Sequence, residues 1–185
     1  MGSLLVVTGP PGAGKSTVAG ILAARDEPSV LVAGDAFFAF LARGAIRPWL
    51  PESREQNEVV TLAAGAAAGR YAAGGYTTVY DGVVGPWFLP TFAGATGLDR
   101  LDYVVLLPPV EVCIERVATR RGHGFSDVAA TRHMHRGFER AEVQSGHVLR
   151  DPPTEPAAVA DLVAAVRAGG SLAYPVAPPR DTARP

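Results

Sequence analysis

The most specific chemistry in this chain is carried by eight consecutive residues, Gly9-Pro10-Pro11-Gly12-Ala13-Gly14-Lys15-Ser16. They fit G-x-x-x-x-G-K-[ST] in full. Glycines at these positions let the backbone fold tightly and turn its N–H groups toward an anion. A helix beginning after Gly14 adds the positive end of its dipole. In such a loop Lys15 reaches the β- and γ-phosphates of a nucleoside triphosphate, Ser16 offers its hydroxyl to Mg²⁺, and Thr17 stands by the α-phosphate. Of 17 basic residues, Lys15 is the one lysine and the rest are arginine. A chain that uses arginine wherever either cation will do thus keeps its ammonium in the loop whose chemistry asks for one. The bland alternative is a glycine-rich turn with no ligand, and the predicted strand before it and helix after it argue against that.

Two carboxylates follow at matching places. Asp35 comes after Gly34 at the end of a predicted strand, where it could orient a substrate hydroxyl and accept its proton, or simply cap the turn that follows. Asp81 closes the run Thr-Thr-Val-Tyr and has the form of the acidic group that holds Mg²⁺ through water. A substrate contact or a plain Asp-Gly turn are its other readings. Arginines then accumulate. Arg116 and Arg120 are four apart, Arg121 precedes Gly122-His123-Gly124-Phe125, and Arg132, Arg136 and Arg140 repeat at four-residue spacing. Guanidinium groups keep their charge and stabilise the negative charge that phosphoryl transfer develops. The expectation singles out Arg120 with Arg132 or Arg136; the competing reading is a solvated face paired with Glu111, Glu115, Glu139 and Glu142.

The elements that must position these groups alternate. Apolar runs at Leu4–Thr8, Val30–Ala33, Tyr76–Tyr80 and Asp102–Leu107 predict buried strands, with a short fifth at His147–Leu149. Helical spacing predicts helices over Ser16–Arg25, Ser53–Ala73, Trp87–Ala95, from Val110 to the glycines at 122 and 124, over 127–143, and over Ala157–Ala168. Pro48 and Pro51 break any helix before Ser53. This pattern predicts an α/β fold with a parallel sheet. One domain is expected over 1–174, with an arginine-bearing lid at about 120–140 and an unpatterned tail over 175–185.

Composition bounds the function. With 48% hydrophobic and 19% charged residues the chain is globular. A formal net charge of -1 gives no reason to expect nucleic acid or an anionic membrane as partner. No apolar run approaches the roughly 20 residues needed to span a bilayer, and the start lacks the pattern of a signal peptide. Cys113 is the lone cysteine, so the expected compartment is the reducing cytoplasm. His133 and His135 lie about 200° apart on a helix and cannot share an ion, while Cys113 reads as a small core residue.

With its lysine already used, the chain cannot contain the Asn-Lys-x-Asp element of guanine-specific switch proteins, and 185 residues leave little room for the added helical subdomain of ring ATPases. Gly9–Thr17, then Gly34-Asp35, Arg47-Pro48-Trp49-Leu50 and Arg120-Arg121-Gly122-His123-Gly124-Phe125 resemble the small-metabolite P-loop kinases. Gluconate kinases are nearest by the last two pieces; chloramphenicol phosphotransferases and zeta-toxin-type kinases share the plan. The resemblance spans roughly residues 4 to 165. It implies a three-layer fold with a five-stranded parallel sheet, ATP and Mg²⁺ as cofactors, a small hydroxyl-bearing acceptor, a base at Asp35, phosphate contacts from Gly9 to Thr17, and an adenine-holding loop near Asp151–Thr154. A monomer or homodimer is expected. Where gluconate kinases follow the Asp with His-Pro, this chain has Ala36-Phe37-Phe38-Ala39-Phe40. Phe37, Phe38, Phe40 and Trp49 are thus candidates for a substrate wall, or core. Arg43 and Arg47 could pair with an anionic substrate group, and Gln56 and Asn57 with hydroxyls. A 5′-polynucleotide or nucleoside kinase, and a nucleotide-binding regulatory module without transfer chemistry, are the other expectations.

Overall fold

The computed structural model describes residues 2–119 and 126–176. In chain order the elements are β1 (Ser3–Thr8), α1 (Lys15–Ala23), β2 (Ser29–Ala33), α2 (Gly34–Ala39), α3 (Arg54–Ala73), β3 (Thr77–Asp81), α4 (Leu89–Thr96), β4 (Arg100–Leu107), α5 (Val110–Thr119), α6 (Val128–Arg140), β5 (Val148–Arg150), α7 (Pro156–Ala168) and β6 (Ala173–Pro175). Strands β2-β3-β1-β4-β5 run parallel in that order. This is the expected three-layer α/β fold. The boundaries fall within a residue or two of those the apolar runs predict, because continuous apolar strands bounded by glycine and proline leave little choice of register.

Side-chain alternation along the central strands sorts the core into two layers. Leu4 and Val6 of β1, with Tyr103, Val105 and Leu107 of β4, face Ala64, Ala68 and Phe92 on α3 and α4. Leu5, Val7, Val104 and Leu106 face Val18 and Leu22 of α1 and Val159 and Val163 of α7. An ion pair ties the start of the sheet to α7: Arg167 Nε donates to Asp102 Oδ2 at 2.7 Å, and its Nη2 to Ser3 Oγ at 2.9 Å.

Two features add to the sequence expectation. Helix α2 starts at Gly34, so Asp35 sits in its first turn. A sixth strand, β6, pairs antiparallel with the first residues of β4, Arg100↔Pro175 to Asp102↔Ala173. Three residues ending in proline are too short to show alternation, which is why the pattern did not reveal it. Strands β5 and β6 therefore divide one edge of β4 between them.

Helices α3 and α4 meet through small residues. A Cβ on Gly69 would strike the carbonyl oxygen of Thr96, and one on Gly65 would lie 2.6 Å from that of Phe92. Gly94, on α4, faces open space. Gly69→Ala is therefore expected to lower stability by about 1–3 kcal/mol through overpacking. Gly94→Ala is expected to be neutral or to raise it by up to about 1 kcal/mol through helix propensity. Urea unfolding midpoints of the two variants check this, and equal effects would refute the close seam.

Candidate functional site

The loop from Gly9 to Gly14 leaves β1 at the middle of the sheet, where chain connections diverge to the two sides and ligands of open α/β sheets bind. Its glycines occupy backbone conformations that side chains rarely adopt: Gly9 has φ 147°, Gly12 80° and Gly14 92°. Space forbids side chains too. A Cβ on Gly9 would run into the carbonyl oxygen of Leu106, and one on Gly12 into that of Cys113. The loop therefore lies against β4 and α5 by backbone contact. Ala13 N–H donates to Pro10 O at 3.2 Å. Helix α1 begins at Lys15 with no side-chain cap and no acidic residue in its first turn. The positive end of its dipole thus faces an anion-binding position with no acidic side chain competing for it. Lys15 Nζ donates to Pro10 O at 3.0 Å, and Ser16 and Thr17 are exposed. These groups fit a triphosphate.

Arg116, on α5, is the arginine the described residues bring to this loop. Its Nη1 donates to Gly12 O at 3.4 Å and would lie 3.6 Å from a Cβ on Gly14. Sequence spacing singled out Arg120, which lies outside the described residues. Arg132 and Arg136 are exposed on α6. The signal for Arg116 was present but unweighted: it falls three residues after Cys113 on the face of α5 that packs against the loop.

Both carboxylates stand at the carboxyl ends of neighbouring strands. Asp81 is the last residue of β3, in register with Val7 of β1 and Ala33 of β2, and half-buried. Asp35 is exposed, two residues beyond Ala33. Tyr80 lies beneath them, its hydroxyl against Gly34. Burial first, then the carboxylates of Asp35 and Asp81, push its phenol well above the ordinary value, so it stays a neutral donor. Nothing in the sequence distinguished Tyr80 from any other strand aromatic. The turn after β3 is pinned beside β1: Val84 N–H donates to Thr8 Oγ1 at 2.9 Å, and Tyr103 Oη donates to Val84 O at 2.8 Å. With Ser16 exposed at the start of α1 and Asp81 at the adjoining strand end, the donor set suits a hard, oxygen-seeking cation such as Mg²⁺.

The candidate substrate residues collect on α2, the 42–50 segment and the start of α3. Phe38, Leu41, Ala45, Ile46 and Pro48 line a cleft of 190 Å³, with Arg47 and Gln56 at its edge. Phe37 packs on the core and Phe40 is 73% exposed, their rings 5.6 Å apart. The Arg47 guanidinium lies 6.0 Å from the Trp49 ring, and Arg43 is exposed. Gln56 and Asn57 bind the chain's own backbone. Gln56 Nε2 donates to Ile46 O at 2.8 Å, and its Oε1 accepts from Ile46 N–H at 2.7 Å. Asn57 Nδ2 donates to Pro48 O at 2.7 Å and Ser53 Oγ at 2.9 Å.

Of the expected lid, 120–125 lies outside the described residues, and 128–140 forms α6. One face of α6 is anchored. His135 is buried with its Nε2 2.8 Å from Pro108 O, and Phe138 packs on Trp87 at 5.3 Å between ring centres. His133 is exposed, on the other side. Among the described residues no His, Cys, Asp and Glu group could hold a metal by itself. Asp151, at φ 47°, borders a second cleft with Pro108, Glu111, His135 and Glu139. Among the described residues no helix is long and apolar enough to cross a membrane.

Residues 4–141 match the family model described as an AAA domain. No curated protein matches the chain. Solved structures that share its fold include the following three. A sugar kinase from Janibacter sp. has a TM-score of 0.66 at 20% identity, over 91% of this chain and 95% of that one. The tunicamycin resistance protein of Deinococcus radiodurans has 0.67 at 16%, over 89% and 95%. A gluconokinase from Sinorhizobium meliloti has 0.62 at 21%, over 91% and 93%.

Cys113 backs the loop, fully buried. Burial pushes its thiol up to about 11, against the downward pull of Lys15 and Arg116 and with a further upward push from Glu111. The folded chain holds this proton more tightly than the unfolded one. Its contribution to stability is therefore present below the ordinary thiol value of 9.0 and lost as pH rises through about 11. At pH 8 iodoacetamide is expected to alkylate Cys113 more than about tenfold slower in the native chain than in urea. Equal rates would mean that α5 does not seal the back of the loop.

Proposed function

Since the chain belongs to the AAA domain family, we propose that it is an ATP-dependent phosphotransferase acting on a hydroxyl of a small molecule. The observation that carries this reading is the meeting of three elements at one end of the sheet. These are an uncapped helix start behind a glycine loop, a cationic side chain on that loop from α5, and two carboxylates beyond it, Asp81 ending β3 and Asp35 in the first turn of α2 just after β2. A loop alone binds phosphate. The added carboxylates give a cation ligand, which serves the bound nucleotide, and a proton acceptor, which transfer to a hydroxyl uses and binding alone does not.

In this reading the backbone N–H groups of residues 12–17 and the Lys15 ammonium hold the β- and γ-phosphates. Ser16 and Asp81 hold Mg²⁺, which neutralises charge on the phosphate oxygens when bound. Asp35 orients the acceptor hydroxyl and takes its proton as the oxygen bonds to the γ-phosphorus and the bond to the ADP oxygen breaks. Arg116 stabilises the charge spread over the transferring oxygens. Arg120, with Arg132 and Arg136, completes that cationic set on the lid side. Phe38, Arg43 and Arg47 border the acceptor's space, and Asn57 holds the segment behind them through Pro48 O. The phosphorylated acceptor and ADP are the products, with the proton passing from Asp35 to solvent. The names of the sugar kinase and gluconokinase that share the fold are consistent with a small-molecule acceptor.

Asp35→Asn keeps the side chain's size and removes the base. Turnover is expected to fall by about 10²–10⁴ with ATP affinity unchanged, whereas Lys15→Ala loses ATP binding itself. Phosphorylated products in a pooled library of hydroxylated metabolites, quantified by mass spectrometry beside ATP titrations, separate the two. Undiminished turnover in Asp35→Asn would remove the base from Asp35.

A further inference from the structure

The cleft beside Asp35 has the wrong chemistry for a polyol. Phe38 lies three residues after Asp35 on α2, so the two side chains share one helix face. Leu41 N–H donates to Phe38 O at 3.2 Å, which carries that face one step further. The cleft therefore begins where an acceptor hydroxyl presented to Asp35 would continue into its carbon skeleton.

A sugar-like skeleton needs a hydrogen-bond partner for each hydroxyl removed from water. Apart from the Arg47 guanidinium, which lies against the Trp49 ring, the polar side chains nearby are already committed to the cleft's own walls. Gln56 closes a two-bond clasp on Ile46. Asn57 Nδ2 and Ser53 Oγ both donate to Pro48 O, and Ser53 Oγ also to Leu50 O. Asn57 Oδ1 accepts nothing, but it is sealed from solvent and so from a ligand. Beside Arg47 and the clasped Gln56, what faces the space is hydrocarbon from Phe38, Leu41, Ala45, Ile46 and Pro48. An apolar cavity of roughly 150 Å³ accommodates benzene. This cleft is open to solvent, and its 190 Å³ lets a six-membered ring lie against the apolar wall. The one charged side chain among the cleft's lining residues is Arg47, which disfavours an amine at that wall.

We propose that the acceptor is an alcohol carried on an apolar, ring-sized, uncharged or anionic body that sits in the cleft between α2 and the 42–50 segment. The inference rests on the phosphotransferase reading and narrows it: polyols and cationic amino alcohols are poor acceptors.

Two readouts on the full chain test it separately. In the first, saturation-transfer NMR follows binding of 2-phenylethanol and of sorbitol, without nucleotide. 2-Phenylethanol is expected to bind at least tenfold more tightly than sorbitol. Ile46→Asp, at a site already 37% exposed, is expected to weaken it at least tenfold while ATP affinity stays the same, and Phe38→Ala to weaken it less. Tighter binding of sorbitol, or binding of 2-phenylethanol indifferent to both substitutions, overturns the assignment of the cleft. In the second, Mg-ATP is supplied with matched panels of ring alcohols, polyols and amino alcohols, and phosphate esters are sought by mass spectrometry. Preferred phosphorylation of polyols overturns the acceptor class while the phosphotransferase stands. Cleft binding with no ester from any panel overturns the phosphotransferase reading, and with it the occupant's role as acceptor.

Discussion

The turn between β1 and α1 has no room for side chains at Gly9 and Gly12, and the reaction face is built around that fact. The backbone lies directly on the carbonyls of Leu106 and Cys113, so loop, β4 and α5 share one contact surface. A loop free to flex would lose entropy each time it gathered its N–H groups around an anion. Here packing has already removed that freedom. The same contact carries Arg116 to the loop, since α5 cannot approach Gly12 through Cys113 without presenting the residue three positions on.

From that surface outward, the sheet fixes the remaining groups by register. Val7, Asp81 and Ala33 lie side by side across three strands. The distance between loop and carboxylate is thus set by ladder spacing and not by loop conformation. Tyr80 and Phe92, with ring centres 4.7 Å apart, fill the layer below. The α3–α4 seam of glycine and alanine brings that layer close enough to support them. Precision at the reaction end is therefore inherited from the apolar interior.

The residues differ in how far their types announced this arrangement. The glycine loop was legible because each position has a backbone reason to be what it is. The strands were legible because an unbroken apolar run has few alternatives. Asp35 and Asp81 were placed by their position after strands, which topology turns into a location. Arg116 was not selected, because a four-residue stripe says which side chains share a face but not what that face meets. Gln56 and Asn57 read as amides able to bind hydroxyls, and the bonds they make to Ile46 and Pro48 backbone were not legible, since a side chain's partner depends on where a loop folds back. Tyr80 and β6 gave no local signal at all: one owes its setting to burial, with Asp35 and the adjacent Asp81 adding to it, the other to an edge left open by a short neighbour.

That open edge has a consequence for the molecule's outline. Strand β6 runs opposite to β4 and pairs with its first residues, and Val176 N–H bonds to Asp99 O beyond them. The chain thus leaves the sheet at its amino pole. From Arg100 to Leu107 the strand spans roughly 23 Å at about 3.3 Å per residue. A cargo joined after Val176 would be moored at the pole away from the phosphate loop, leaving the working face clear.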